Sequence, residues 1–126
     1  MVSCKVGHIY IVNTVLTKPP KEKYALCICV GPDYFFWINT DPRRHGRDQL
    51  ALKKGCHNLV THDSFLDLSR IVAHSAAELE NAREFTRISP ELTGSILKTL
   101  ENGLYILPPQ HADLVKMNLQ QMLDGG

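Results

Sequence analysis

Apolar and polar positions along the first three-fifths of the chain follow the pattern of β-strands. Segments 6–16, 24–30 and 34–39 are rich in β-branched and aromatic residues, and proline, glycine and charged residues separate them, so each is predicted to be a strand. The run 24–30 is almost wholly apolar, which is typical of a strand buried on both faces. Weaker patterns predict a short strand at 49–53 and further β-structure between 58 and 72.

Four aromatic residues follow one another in the third predicted strand: Tyr34, Phe35, Phe36 and Trp37. Neighbouring side chains of a strand point to opposite faces, so these four cannot all enter one core. We therefore expect two of them on a second surface. Packing in a core or a dimer is favoured there, and stacking against nucleic-acid bases is the open alternative.

The period of the pattern changes near residue 75. Ser75 followed by Glu78 fits a capping box and predicts a short helix to about residue 82. A second helix is predicted after Ser89, because Pro90 follows this N-cap serine. Segment 110–123 predicts a last amphipathic helix. The expected class is mainly β with α (α+β), in one domain with a barrel at about 6–74 and a helical part at about 75–123.

Composition and charge narrow the function classes only slightly. The net charge is +1, with ten Lys and Arg against six Asp and Glu in residues 1–74, and four against seven in residues 75–126. A mildly basic β half is compatible with nucleic acid or an acidic peptide, but such a surplus is also common by chance. No apolar run approaches the roughly 20 residues that span a bilayer. With no secretory signal at the start, we expect a cytoplasmic chain with no membrane partner.

Few residues of this chain form a known chemical motif. The sequence contains no glycine-rich phosphate loop, no HExxH and no paired CxxC. Soft metal ligands are present at Cys27, Cys29, Cys56, His57 and His62. Because Cys27 and Cys29 fall in the middle of a predicted strand and not on a tight turn, core cysteines are favoured over zinc ligands. We expect reduced thiols, no metal and no other cofactor.

The most basic stretch follows the aromatic strand. Arg43, Arg44, His45 and Arg47 cluster within five residues, a layout that suits contacts to phosphate, although a solvated loop is an equally ordinary explanation. Thr40-Asp41 stands between that strand and the basic stretch. A hydroxyl and a carboxylate there would help to align a ribose hydroxyl and a phosphate, or would simply open a turn.

The order of these segments resembles that of the MazF/PemK-like toxins of toxin–antitoxin systems. The matching stretches are Gly7-His8-Ile9-Tyr10, Lys23-Tyr24-Ala25-Leu26-Cys27-Ile28, Asp63-Ser64-Phe65-Leu66 and Arg87-Ile88-Ser89-Pro90-Glu91-Leu92. The resemblance implies an SH3-like β-barrel of five to seven strands with C-terminal helices. It also implies an endoribonuclease that cuts RNA without metal, and a homodimer whose groove receives an antitoxin peptide.

The resemblance also suggests roles for individual residues. Lys23 stands near the position of the family's arginine and keeps the positive charge without the bidentate grip of a guanidinium. Thr40 fits the family's hydroxyl position, and His45 or Asp41 is the candidate that assists attack by the 2′-hydroxyl. The expected RNA-binding residues are Arg43, Arg44 and Arg47. Two alternatives stay open: a catalytically silent barrel that binds a protein, peptide or nucleic acid, and a subunit of a larger assembly that docks through segment 110–123.

Overall fold

The computed structural model describes residues 4–40, 49–102 and 107–125. The fold is α+β, a seven-stranded antiparallel sheet with C-terminal helices, which confirms the predicted class. The strands are β1 His8–Thr14, β2 Lys21–Cys29, β3 Tyr34–Asn39, β4 Gln49–Leu52, β5 Ser64–Asp67, β6 Val72–Ala73 and β7 Arg83–Arg87. The helices are α1 Ala76–Glu80, α2 Pro90–Asn102 and α3 Pro109–Asp124.

The two ends of the sheet are brought together by a histidine. The strand order is β4-β5-β3-β2-β1-β7, with β6 paired to β3, so β4 and β7 are the outer strands. His57, in the loop after β4, accepts the Leu59 N–H at Nδ1 (3.1 Å). Its Nε2 therefore carries the proton and donates to the carbonyl of Thr86 in β7 (2.7 Å). This hydrogen bond joins the loop that follows one outer strand to the other outer strand.

Strand β7 lies in the part of the chain that the sequence predicted to be helical. It pairs antiparallel with β1, for example His8 with Arg87 and Tyr10 with Glu84. Its side chains are mostly charged and exposed, and Phe85 is only half-buried. An outer strand of this kind lacks the apolar alternation that reveals a strand in a sequence. The sheet therefore extends beyond residue 74, where we expected the helical part to begin.

The sheet has two apolar faces, as the row of aromatic residues in β3 indicated. We call the first the helix-covered face, because α2 and α3 pack on it. Its fully buried side chains include Ile9, Leu26, Ile28, Phe36 and Leu66 from the sheet and Ile96, Leu100, Ala112, Val115 and Leu119 from the helices. The second, which we call the opposite face, buries Tyr10, Val12, Ala25, Cys27, Phe35, Trp37 and Val72, together with Leu79 of α1.

Helix α3 packs within its own chain. Val115 and Leu119 are completely buried on the helix-covered face, and the Asn118 amide donates to the carbonyl of Ile28 in β2 (3.0 Å). The apolar face that the larger-assembly alternative gave to a partner is thus already occupied, and of the large hydrophobic residues of α3 only Met117 is exposed. In the described parts of the chain, no helix has both the length and the apolar character needed to cross a bilayer.

The predicted capping box of α1 is confirmed in one of its two hydrogen bonds. The Ser75 hydroxyl accepts the backbone N–H of Glu78 (3.2 Å), as an N-cap serine does. The Glu78 carboxylate does not reach back to Ser75. It accepts hydrogen bonds from Thr14 and Val15 at the end of β1 instead. The helix is thereby fixed to the sheet as well as capped.

Candidate functional site

A cleft of about 560 Å³ opens at one end of the sheet. The first residues of β2, the last residue of β3 and the segment 59–64 before β5 form its walls. The polar side chains that line it are those of Lys21, Glu22, Lys23, Asn39, Thr40, Thr61, His62 and Ser64. Apart from Glu22, all of them carry a hydrogen-bond donor, so the cleft suits an anionic ligand.

The pairing of β2 with β3 places Lys23 in this cleft. Tyr24 pairs with Ile38, so Lys23 and Asn39 stand side by side, one position nearer the end of the sheet. Lys23 is only 8% exposed, and burial of an ammonium is unfavourable unless it has partners. The ammonium donates to Oδ1 of Asn39 and lies 5.0 Å from the centre of the Trp37 ring. An amide dipole and an aromatic face thus hold the positive charge at the wall of the cleft.

Asn39 gains a fixed orientation from this contact. An ammonium only donates, so the amide oxygen must face Lys23 and the amide nitrogen must point away. Nδ2 is buried and has no hydrogen-bond acceptor among the described residues. The neighbouring Thr40, which follows the last residue of β3, is exposed and contributes its hydroxyl to the same cleft.

His62 enters the cleft from the opposite wall. It is exposed, and Nδ1 lies 3.3 Å from the hydroxyl of Thr61. Ser64 donates to the carbonyl of His62 (2.9 Å), which fixes the backbone at the start of β5. From the sequence, His62 is one of several possible metal ligands and is not among the predicted catalytic residues. Its position across the cleft from β2 depends on the pairing of β3 with β5, which is not visible in the local sequence pattern.

The structure brings together two of the three predicted catalytic residues. Lys23 and Thr40 line the same cleft although 17 positions separate them in the sequence. The other predicted site residues lie outside the described residues. They are His45, Asp41 and the predicted RNA-binding residues Arg43, Arg44 and Arg47. The described part of the site therefore rests on residues from β2, β3 and the segment before β5.

A chain of polar groups crosses the opposite face next to the cleft. The indole N–H of Trp37 donates to Nε2 of His74 (3.1 Å). Because Nε2 accepts, the proton of the imidazole sits on Nδ1 and is donated to the Glu78 carboxylate (2.9 Å). That carboxylate also accepts the Thr14 hydroxyl (3.2 Å) and the Val15 N–H (2.8 Å). The orientation of the tryptophan ring is thus fixed from β1 and α1.

The hydrogen bonds of Glu78 determine its ionisation. Partial burial disfavours the carboxylate, but hydrogen bonds from His74, Val15 and Thr14 favour it and together lower the pKa of Glu78 below its ordinary value of 4.5. Glu78 is therefore ionised at neutral pH. It stabilises the fold as an acceptor of three hydrogen bonds and is not suited to donate a proton to a ligand.

Burial disfavours the thiolate form of three of the four cysteines. Burial raises the pKa of Cys4 to about 11 and that of Cys27 to about 12, and it also raises the pKa of the half-buried Cys56. These thiols stay protonated at neutral pH, whereas thiolates are the species that bind metals or attack substrates. A bulge in the β2–β3 pairing separates Cys27 from Cys29. Across the described residues, no three His, Cys, Asp or Glu side chains are placed to hold a metal ion.

A scan against protein-family models found no match, and neither did a search of curated proteins.

Proposed function

We propose that the chain is a metal-independent endoribonuclease that binds single-stranded RNA in the cleft between Lys23, Thr40 and His62. The observation that carries the proposal is that one cleft gathers an ammonium, a hydroxyl and an imidazole. These are groups that can bind a phosphodiester and move its protons without a metal. The MazF/PemK-like resemblance of the sequence points to the same chemistry.

Each of the three residues has a distinct role in this mechanism. Lys23 provides a positive charge next to the phosphate, where negative charge increases as the reaction proceeds. The hydroxyl of Thr40, which is exposed, donates a hydrogen bond to a non-bridging oxygen. Neutral His62 acts as the general base, since imidazole is the side chain whose charge changes nearest neutral pH.

The reaction follows from these positions. His62 removes the proton of a 2′-hydroxyl, and the oxygen attacks the adjacent phosphorus while the bond to the 5′-oxygen breaks. The leaving oxygen takes a proton from solvent or from the protonated His62. The products are a 2′,3′-cyclic phosphate on one fragment and a 5′-hydroxyl on the other. No metal ion is needed at any step, because cationic and hydrogen-bonding side chains stabilise the charge.

The same proposal includes the partners that the resemblance implies. A homodimer would join two such clefts, and an acidic antitoxin peptide would compete with RNA for their positive charge. The cytoplasm is the proposed location. All four cysteines are unpaired thiols, which the reducing cytoplasm maintains.

A cleavage assay in the presence of EDTA tests the proposal. Purified protein is incubated with an unstructured RNA, and the ends of the fragments are analysed for cyclic phosphate. We expect cleavage that falls about 100-fold or more in His62→Gln, the usual loss when a general base is removed. Thr40→Val should also reduce cleavage. His111→Gln is the control, because His111 lies in α3 beside Tyr34, outside the cleft lining. Intact RNA, or equal cleavage by His62→Gln and the wild type, would contradict the proposal.

One observation favours a second candidate, a barrel that binds RNA without cutting it. Lys23 is engaged by Asn39 and Trp37 and is a lysine, so it grips a phosphate less firmly than a bidentate guanidinium would. Binding of RNA with no cleavage in the same assay would support this candidate over the nuclease.

A further inference from the structure

Two cations from distant parts of the sequence lie against the only tryptophan. Nζ of Lys23 is 5.0 Å from the centre of the Trp37 ring, and Cζ of Arg70 is 5.2 Å from the same point. Both groups lie within about 5 Å of one centre, so they are at most about 10 Å apart. Lys23 forms part of the cleft wall, and Arg70 lies just beyond that wall on the opposite face.

The tryptophan between them is a rigid support. Trp37 is 3% exposed, and its indole N–H is fixed by the hydrogen bond to His74. The His74 ring also stacks on it, with centres 6.0 Å apart and planes 29° apart. The other ring nitrogen of His74 is hydrogen-bonded to Glu78, so the imidazole cannot turn without breaking two hydrogen bonds. A cation packed on this ring keeps a defined position.

The backbone on both sides of Arg70 is also fixed. Before it, the backbone N–H of Ser69 donates to the Asp67 carboxylate (2.9 Å) and closes a tight turn. After it, Val72 pairs with Phe35 in the sheet. Arg70 itself is exposed, and it forms no ion pair with a carboxylate of the described residues. Its guanidinium is therefore held in place and still accessible to a ligand.

We propose that Arg70 binds a second phosphate of the RNA, next to the one bound at Lys23 and Thr40. Arg70, in the segment between β5 and β6, thereby adds a guanidinium to a site where β2 provides only the ammonium of Lys23. Cζ of Arg70 lies over the indole ring, and the N–H groups at the edges of a guanidinium match the oxygens of a phosphate. This inference rests on the proposed function, because it extends the RNA path from the cleft across Trp37.

The alternative role for Arg70 is purely structural, as a cover over Trp37. The salt dependence of RNA binding separates the two roles. For single-stranded nucleic acid, each neutralised phosphate contributes about −0.7 to the slope of log affinity against log salt. A side chain that only covers the indole contributes nothing to that slope.

The experiment uses a fluorescein-labelled 2′-O-methyl oligoribonucleotide, which lacks the attacking hydroxyl and cannot be cleaved. Fluorescence anisotropy gives its affinity for the wild type, Arg70→Met and Arg70→Lys over a series of salt concentrations. Methionine retains an apolar stem over the ring while removing the charge. The matched control is Lys98→Met, which removes one charge from the exposed surface of α2. Fluorescence of Trp37 verifies that each variant is folded.

We expect Arg70→Met to make the slope shallower by about 0.7 and to weaken binding several-fold at low salt. Arg70→Lys should keep the slope and bind more weakly than the wild type, and Lys98→Met should match the wild type. An unchanged slope in Arg70→Met, with RNA binding intact in the wild type, would overturn only the role of Arg70. A wild type that does not bind the oligonucleotide would overturn the proposed function and this inference with it.

Discussion

The two faces of the sheet differ in how they use buried polar side chains. On the helix-covered face, α2 and α3 bury mainly aliphatic side chains, and the buried hydroxyl of Thr93 in α2 is used locally, since it donates to the carbonyl of Ser89 just before that helix. On the opposite face, the apolar cluster surrounds a buried tryptophan whose N–H begins a chain of hydrogen bonds through His74 to Glu78. Lys23, 8% exposed, lies against the same ring.

This difference between the faces separates stabilising the fold from orienting individual side chains. Apolar burial is roughly proportional to area and tolerates many sequences, so the helix-covered face can stabilise the fold without specifying any chemistry. Buried polar groups add less net stability, but each one requires a partner at a defined distance and so fixes an orientation. The opposite face therefore positions side chains, and the proposed RNA path begins at its edge. Substitutions on the two faces should separate stability from function.

The largest effect on stability is expected on the helix-covered face. Leu119 of α3 is completely buried, so Leu119→Ala removes apolar contacts and leaves a cavity. The expected loss in the free energy of unfolding is about 2–5 kcal/mol. Urea denaturation followed by circular dichroism measures it.

Met117 provides the control within the same helix. It is 52% exposed, and Met117→Ala should change the free energy of unfolding by no more than about 0.5 kcal/mol. If both variants had the same small effect, α3 would not be part of the core, and the contrast between the two faces would fail.

The next largest effect is expected at Glu78 on the opposite face. In Glu78→Gln, an amide NH₂ replaces one of the two carboxylate oxygens that accept from Thr14, Val15 and His74. At least one hydrogen bond is therefore lost, because two donor groups then face each other. The expected loss is about 1–3 kcal/mol at pH 7. Glu80→Gln is the control, because Glu80 is exposed in the same short helix.

The pH dependence of stability identifies this carboxylate. The pKa of Glu78 is below 4.5 in the folded chain and near its ordinary value when unfolded, so its stabilising contribution is complete above about pH 4.5. The contribution is lost as the pH falls through the lowered pKa. The difference between the wild type and Glu78→Gln should therefore shrink below pH 4.5. A constant difference from pH 7 to pH 3 would show that Glu78 is not ionised in its hydrogen bonds.

Much of the fold could be predicted because its strands carry local signals. The apolar run in β2 and the aromatic run in β3 have the period and composition of buried strands, and Ser89-Pro90 marks the start of α2. Strand β7 could not be predicted in this way. Its residues are mostly exposed, and its β conformation comes from pairing with β1, which is distant in the sequence.

The site was predictable to a smaller degree. Lys23 was predicted from the MazF/PemK-like resemblance, and Thr40 from that resemblance and from its place after the aromatic strand. The β2–β3 pairing brings both residues to one cleft. His62 and Arg70 were not assigned to the site. Their relation to Lys23 depends on the β3–β5 and β3–β6 pairings and on the packing of Arg70 against Trp37. Long-range pairing of this kind leaves no trace in the periodicity of a single sequence.

A small effect on stability together with a clear loss of RNA affinity is expected at Lys23. Methionine fills a similar volume and has no charge to bury, so Lys23→Met should relieve the unfavourable burial of the ammonium while Asn39 loses one donor. These effects oppose each other, and the free energy of unfolding should change by about 1 kcal/mol or less. RNA affinity, measured with the labelled oligonucleotide, should fall at least as much as in Arg70→Met. If Lys23→Met instead destabilised the chain as strongly as Leu119→Ala and left RNA binding intact, Lys23 would have a structural role, and the functional distinction between the faces would be wrong.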